Sequence, residues 1–189
     1  MALTRWPLLL LTLGLGLAGA QETLEEVPLQ QDFDAQKTEG HWLALQLAAT
    51  HPGLVSPDDP LRLSLHSIRA TDQGGLDFLL FWMGQGVCQG LNVTVHPTGL
   101  RGQYQGTFEA VGRVLVRVVG TDYESLLLHV RVEQDAETNA LWALLARAAP
   151  GDPEWLGRFQ AYVQQFHLQK VPVFNGNGQC PPPDAWVKP

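Results

Sequence analysis

The side chains of this chain that could do chemistry are scattered rather than clustered. Six histidines stand at positions 41, 51, 66, 96, 129 and 167, and the thiols are Cys88 and Cys180. No His-Glu-x-x-His run puts two imidazoles on one helix face for zinc, and there is no Gly-x-Ser-x-Gly elbow and no Gly-x-x-x-x-Gly-Lys phosphate loop. His41, His66, His96 and His129 fall on the polar faces or at the ends of predicted strands, and read as surface residues rather than ligands. We therefore expect no enzyme, no metal and no cofactor. An even cysteine count suggests one bridge, with two free thiols as the alternative; it would close a loop of about 92 residues, worth roughly 4–5 kcal/mol in the chain-entropy limit. Asn92-Val93-Thr94 is an N-glycosylation sequon, and its use would place Asn92 on an outer surface. The chemistry that remains is recognition by apolar surface.

That surface comes from alternation with a period of two, the mark of half-buried strands. A first strand is predicted from Trp42 to Ala49, followed by a proline-rich loop from His51 to Pro60. In Leu61 to His66 the leucines share one face. After the turn at Thr71 to Gly75, Phe78, Leu80 and Trp82 point one way and Asp77 the other. Leu91, Val93 and Val95 then alternate with Asn92, Thr94 and His96. Tyr104, Gly106 and Phe108 oppose Gln103, Gln105 and Thr107; Val114, Val116 and Val118 oppose Arg113 and Arg117. Leu126, Leu128, Val130 and Val132 oppose His129, Arg131 and Glu133. The eighth run, Ala140 to Ala146, is apolar at nearly every position, as a strand buried on both faces should be.

One helix follows. Asp152 is placed to cap it and Pro153 to start it, and Trp155, Phe159, Tyr162, Val163 and Phe166 make an apolar stripe that runs to Leu168. Eight antiparallel strands with one apolar face each can close into a barrel that removes the exposed edges and leaves room for one small ligand. The stripe can then pack on the outer face of the apolar eighth run.

The ends of the chain belong to other business. Arg5, the apolar run from Leu8 to Leu17 and the Ala18-Gly19-Ala20 site read as a secretory signal peptide over residues 1–20. The run is about ten residues, roughly half of what a bilayer core requires of a helix. Residues 21–180 are expected to form the domain and 181–189 a short tail. A net charge of −7, with 19 acidic against 12 basic residues, argues against nucleic acid and anionic membranes as partners.

The motifs resemble those of the lipocalin family over nearly the whole predicted mature chain. Phe33-Asp34-Ala35-Gln36-Lys37 followed by Gly40-His41-Trp42 is similar to the first lipocalin signature. Thr121-Asp122-Tyr123 is similar to the second, at the corner between the sixth and seventh strands, and Arg147 stands where the third has its arginine. The departures are local: Thr38-Glu39 before the glycine, Leu43 after the tryptophan, and Ala146 before the arginine. The resemblance implies an eight-stranded up-and-down barrel with one C-terminal helix outside, Trp42 inside its closed end and Arg147 lying across it. It also implies that Cys88 and Cys180 are the pair that pins the tail to the barrel. Some lipocalin-like proteins isomerise substrates with a thiolate inside the barrel; with both cysteines matching the structural pair, no such nucleophile is expected here.

The expected lining of the cavity is Leu63, Leu65, Phe78, Leu80, Trp82, Val93, Tyr104, Phe108, Val116 and Leu128. It carries no charge and one hydroxyl, Tyr104, which could orient a ligand. Such a wall suits a small lipophile of the fatty-acid, retinoid or odorant-like kind, and the function expected is secreted transport of one. The alternative is a filled barrel that acts as a non-enzymatic interaction module. Leu79 and Phe81, on the outer face of the third strand, would then meet a non-covalent partner or a second copy in a homodimer.

Overall fold

A computed structural model describes residues 27–51, 64–84, 87–109, 112–134 and 137–171. Its strands are β1 (Gly40–His41), β2 (Leu43–Ala49), β3 (Ser64–Ala70), β4 (Leu76–Gly84), β5 (Val87–Pro97), β6 (Gln103–Phe108), β7 (Gly112–Thr121), β8 (Ser125–Gln134), β9 (Glu137–Ala146) and β10 (Gln169–Val171). Helix α1 (Pro153–Gln165) lies between β9 and β10. The sheet order is β1-β3-β4-β5-β6-β7-β8-β9-β2-β10. Because β1 and β2 flank Trp42, they are two halves of one strand. One half pairs with β3 and the other with β9, so the sheet curls back on itself into a nearly closed barrel. Counted this way, eight strands wall the barrel and β10 is a ninth, laid beside β2. The first predicted strand thus begins two residues earlier, and Trp42 at the break gives its N–H to His66 O at 3.0 Å.

Three bulges set which residues face inward. Register shifts occur between Ala44 and Gln46, Leu65 and Ser67, and Val118 and Gly120. Each puts one extra residue into a strand and bends it, which helps the sheet close. They also flip the parity: Ala44, Leu47 and Ala49 share the inner cluster with Leu65, Ile68 and Val118, whereas Leu45, Ala48 and Val119 lie in the outer one. Simple alternation cannot produce those sets.

The outer cluster is built by α1. Asp152 caps the helix by accepting from Glu154 N–H at 2.8 Å, and Pro153 opens it, as expected. Trp155 and Phe159 are buried against Leu127, Leu144, Ala146 and Val119 on the outside of the barrel. Tyr162 and Phe166 stack on Trp142, with ring centroids 4.6 and 5.4 Å away. Val27 of the N-terminal arm completes this layer, and its carbonyl accepts from buried Arg117 at 3.0 Å.

One expectation is overturned here. His129 points outward, as its parity requires, but it is 1% exposed, edge-on to Trp142 at 4.9 Å, and is no surface residue. An outward position is wet only where nothing is stacked outside it, and here the aromatic layer of β9 and α1 is. His41 and His66 are likewise half-buried, their rings 4.8 Å apart, while His96 is exposed as expected.

Candidate ligand-binding site

The closed end is a set of hydrogen bonds around one indole. Trp42 is fully buried and gives its Nε1–H to Thr38 O at 2.7 Å, at the end of the short 3-10 helix Gln36–Thr38. The Arg147 guanidinium lies 3.9 Å above the Trp42 ring. It donates to His41 O at 2.8 Å, Glu39 O at 2.7 Å, Lys37 O at 3.2 Å and Tyr123 O at 3.3 Å. A planar fork of five N–H groups suits this task, because it reaches several carbonyls while its face stays on the ring. One residue therefore ties the 3-10 helix, β1, the β7–β8 corner and the end of β9 together.

The corner is held in the same way. Thr121 Oγ1–H donates to Ser125 O at 2.7 Å and accepts from Tyr123 N–H at 2.8 Å. The Asp122 carboxylate accepts from Ser125 N–H at 2.5 Å, Glu124 N–H at 3.0 Å and Trp155 Nε1–H at 2.8 Å. Burial alone would raise its pKa; these donors outweigh that and hold it below the usual carboxylate range. Tyr123 takes φ +70°, and its hydroxyl accepts from Asp34 N–H at 3.0 Å. The signature residues thus face each other across the floor, with Asp122 joining the floor to α1.

Eight of the ten residues expected to line a cavity can be placed in the walls above. Phe78, Tyr104, Val116 and Leu128 are buried in the inner cluster, and Leu65, Leu80, Val93 and Phe108 pack against it while staying partly exposed. Leu63, the side chain of Trp82 and Cys180 lie outside the described residues. Leu91, inward by alternation, is 41% exposed and outside the cluster. Tyr104 sits low: it pairs with Pro97 and Val116, and its ring is edge-on to Phe33 at 6.1 Å. Burial raises its pKa, so the phenol stays protonated.

Phe33 is the floor residue that alternation could not find, because the arm that carries it is not a strand. Gln30 N–H donates to Val118 O at 2.9 Å, which draws the arm across the base of the barrel and delivers Phe33 to Tyr104.

No group of three or more metal-capable side chains occurs among the described residues. The sequence profile of the Lipocalin / cytosolic fatty-acid binding protein family matches residues 39–175. Lipocalin-15 of Homo sapiens is 30% identical over 157 residues, covering 82% of this chain and 84% of that protein. Lipocalin Can f 6.0101 of Canis lupus familiaris is 26% identical over 169 residues, covering 89% and 87%. Among solved structures, the bovine lipocalin allergen Bos d 2 superposes with a TM-score of 0.68 at 20% identity, covering 79% of this chain and 100% of its own. A deswapped triple mutant of bovine odorant binding protein gives 0.65 at 22% identity, covering 78% and 99%. These two likenesses are likenesses of fold.

Proposed function

From the premise that this chain belongs to the lipocalin family, whose members typically bind small hydrophobic molecules and are generally secreted, we propose that it is a secreted, non-enzymatic carrier of one lipophile held in the barrel. Residues 1–20 are then the signal peptide, 21–180 the barrel domain and 181–189 a tail. Cys88 and Cys180 form a bridge, and Asn92 carries a glycan. The ligand is a fatty acid, a retinoid or an odorant-like molecule; odorant binding is what one of the structural neighbours is named for.

One observation carries this reading. On β4 and β8 the inward side chains lose their burial part-way up the strand, although Val116 and Val114 of β7, opposite Val130 and Val132, stay buried. On β4, Leu76 and Phe78 are buried and Leu80 is not, although the strand runs on to Gly84. On β8, Leu126 and Leu128 are buried and Val130 is not, although the strand runs on to Gln134. Leu65, Val93, Phe108 and Leu141 stand with Leu80 and Val130 in the inner set and are partly exposed too. A barrel filled by its own side chains would bury that level as tightly as its floor. An apolar ring open to solvent with wall above it is a place for an apolar guest.

Titrating the secreted protein with fluorescent fatty-acid and retinoid probes and an odorant-like competitor tests this. Saturable one-site binding is expected from at least one class. Failure across the whole panel, in protein shown to be folded, would return the barrel to the filled, partner-binding reading.

A further inference from the structure

We propose that the first sugar of an N-glycan on Asn92 seats on an apolar shelf of the outer wall made by Leu79, Phe81 and Gly90, so that the glycan is a packed part of the barrel. The proposal rests on the secretory reading above. It starts from the β4–β5 register: Asn92 stands opposite Leu79, and Gly90 stands opposite Phe81. All four belong to the outer face, because Phe78, Leu80 and Val93 between them face inward. The Phe81 ring does not stand off the sheet. Its Cε1 lies 3.3 Å from where a Cβ on Gly90 would sit, so the ring leans over β5 and uses the space that the missing side chain leaves.

That places an aromatic ring, with the His66 ring at 5.4 Å as a further neighbour, one diagonal step from the attachment point. Residues 90 and 92 of one strand are about 7 Å apart and on the same side, and a diagonal cross-strand neighbour such as Phe81 is within reach of a long substituent. Asn92 is exposed, while Leu79 and Phe81 remain partly so. The other flank of the shelf is polar and fixed: Thr94, the third residue of the sequon, gives its hydroxyl hydrogen to Asp77 at 2.6 Å.

A pyranose has one face of C–H groups that packs on aromatic and aliphatic surface, and a rim of hydroxyls that stays wet. Linked to Asn92, its C–H face would lie over Leu79 and Phe81, with its rim toward Asp77 and solvent. The surface that alternation marked as a protein interface then has an occupant from its own chain, attached at its centre.

The test compares melting temperatures within each variant, made in glycosylating cells and checked by intact mass. Trimming the glycan to its first N-acetylglucosamine should leave the wild-type midpoint unchanged. Removing the sugar entirely, or Asn92→Gln, should lower it by about 2–4 °C, the scale of a modest packing contact in a chain of this size. Phe81→Ser and Leu79→Ser, both at partly exposed outer positions, should each shrink that difference between sugared and stripped forms. An unoccupied Asn92 in the secreted protein would overturn the proposal together with the glycosylation reading. An occupied Asn92 whose sugar makes no difference, or the same difference in all three proteins, would overturn the shelf alone and leave the glycan standing.

Discussion

At the scale of single residues, Arg147 is the side chain that holds the floor together. It donates to four carbonyls and covers the Trp42 ring. Hydrogen bonds from a charged donor contribute about 1.5–3 kcal/mol and a cation–π contact about 0.5–2 kcal/mol, though not additively. Arg147→Ala should therefore cost about 3 kcal/mol by urea denaturation, and Arg147→Lys at least half of that, because an ammonium cannot reach four carbonyls from one plane. A lysine variant as stable as the parent would show that charge rather than the fork holds the floor. The same region sets the response to acid. Burial, the neighbouring His66 and the Arg147 charge lower the pKa of His41, and burial lowers that of His66. Asp122 is lowered as well, by its donors. For all three groups the unfolded chain takes up protons at a higher pH than the folded one, so each stabilises the fold above its unfolded pKa and stops doing so as pH falls. Acid should act in two stages: a first loss beginning near pH 6.5, the ordinary histidine value, and a second below about pH 4, the ordinary carboxylate value. His66→Gln should shrink the first stage and leave the second. Denaturant midpoints that stay flat between pH 7 and 5 in the wild type would refute this assignment.

At the scale of elements, the helix and the bulges show what the amino-acid order makes legible. The helix could be read in full, cap and stripe alike, because both are local: Asp152-Pro153 fixes the start, and three- and four-residue spacing fixes the face. Its partner was legible too, since the run that becomes β9 is apolar at nearly every position. The signature triplet and Arg147 stand out in the sequence for a different reason, as matches to a family pattern. The bulges at Leu45, His66 and Val119 left no local sign, because an extra residue in a strand is a property of the pairing and not of the strand alone. Ile68 and Leu47 are absent from the expected inner set for a simpler reason: the second predicted strand ends at His66, and the first has no face assigned to it. His129 was misread as wet for a related reason: parity says which side a residue takes, not what is stacked there. Since Phe159 is fully buried on the outer layer, Phe159→Ala should cost about 3–5 kcal/mol. Asp152→Ala should cost about 1 kcal/mol through the lost cap. Both losses would be read from thermal or urea unfolding. Neither residue touches the inner cluster, so probe affinity at saturation of the folded state should not move. A phenylalanine variant that stays folded yet loses its ligand would tie the outer layer to the cavity.

At the scale of the whole molecule, the barrel wall separates two apolar cores, and on the proposed carrier reading function and stability divide across it. The outer core runs from Val27 through Leu127 and Trp142 to Phe159; the inner one is buried up to Phe78 on β4 and Leu128 on β8, and as far as Val114 on β7. A guest in the upper half should therefore stabilise the fold by mass action, by about 2.7 kcal/mol at a hundred times its dissociation constant. Leu80→Asp would set a carboxylate in the apolar ring at a level that solvent reaches. The charge can stay hydrated in the empty barrel, so the fold should lose only about 1–2 kcal/mol, whereas seating an apolar guest would strip that hydration at a cost of several kcal/mol. Leu80→Asp should then keep its circular dichroism and lose probe binding by a hundredfold or more, together with the ligand-induced rise in melting temperature. Thr107→Asp, one residue from Phe108 but on the other face, should change neither. With Phe159→Ala the ligand increment should add to the lower baseline without loss, because the two sites share no side chain across the wall. Equal ligand responses in Leu80→Asp and the wild type would mean that whatever binds does so outside the barrel, and the partly exposed apolar side chains beyond Phe78 would have no part in it.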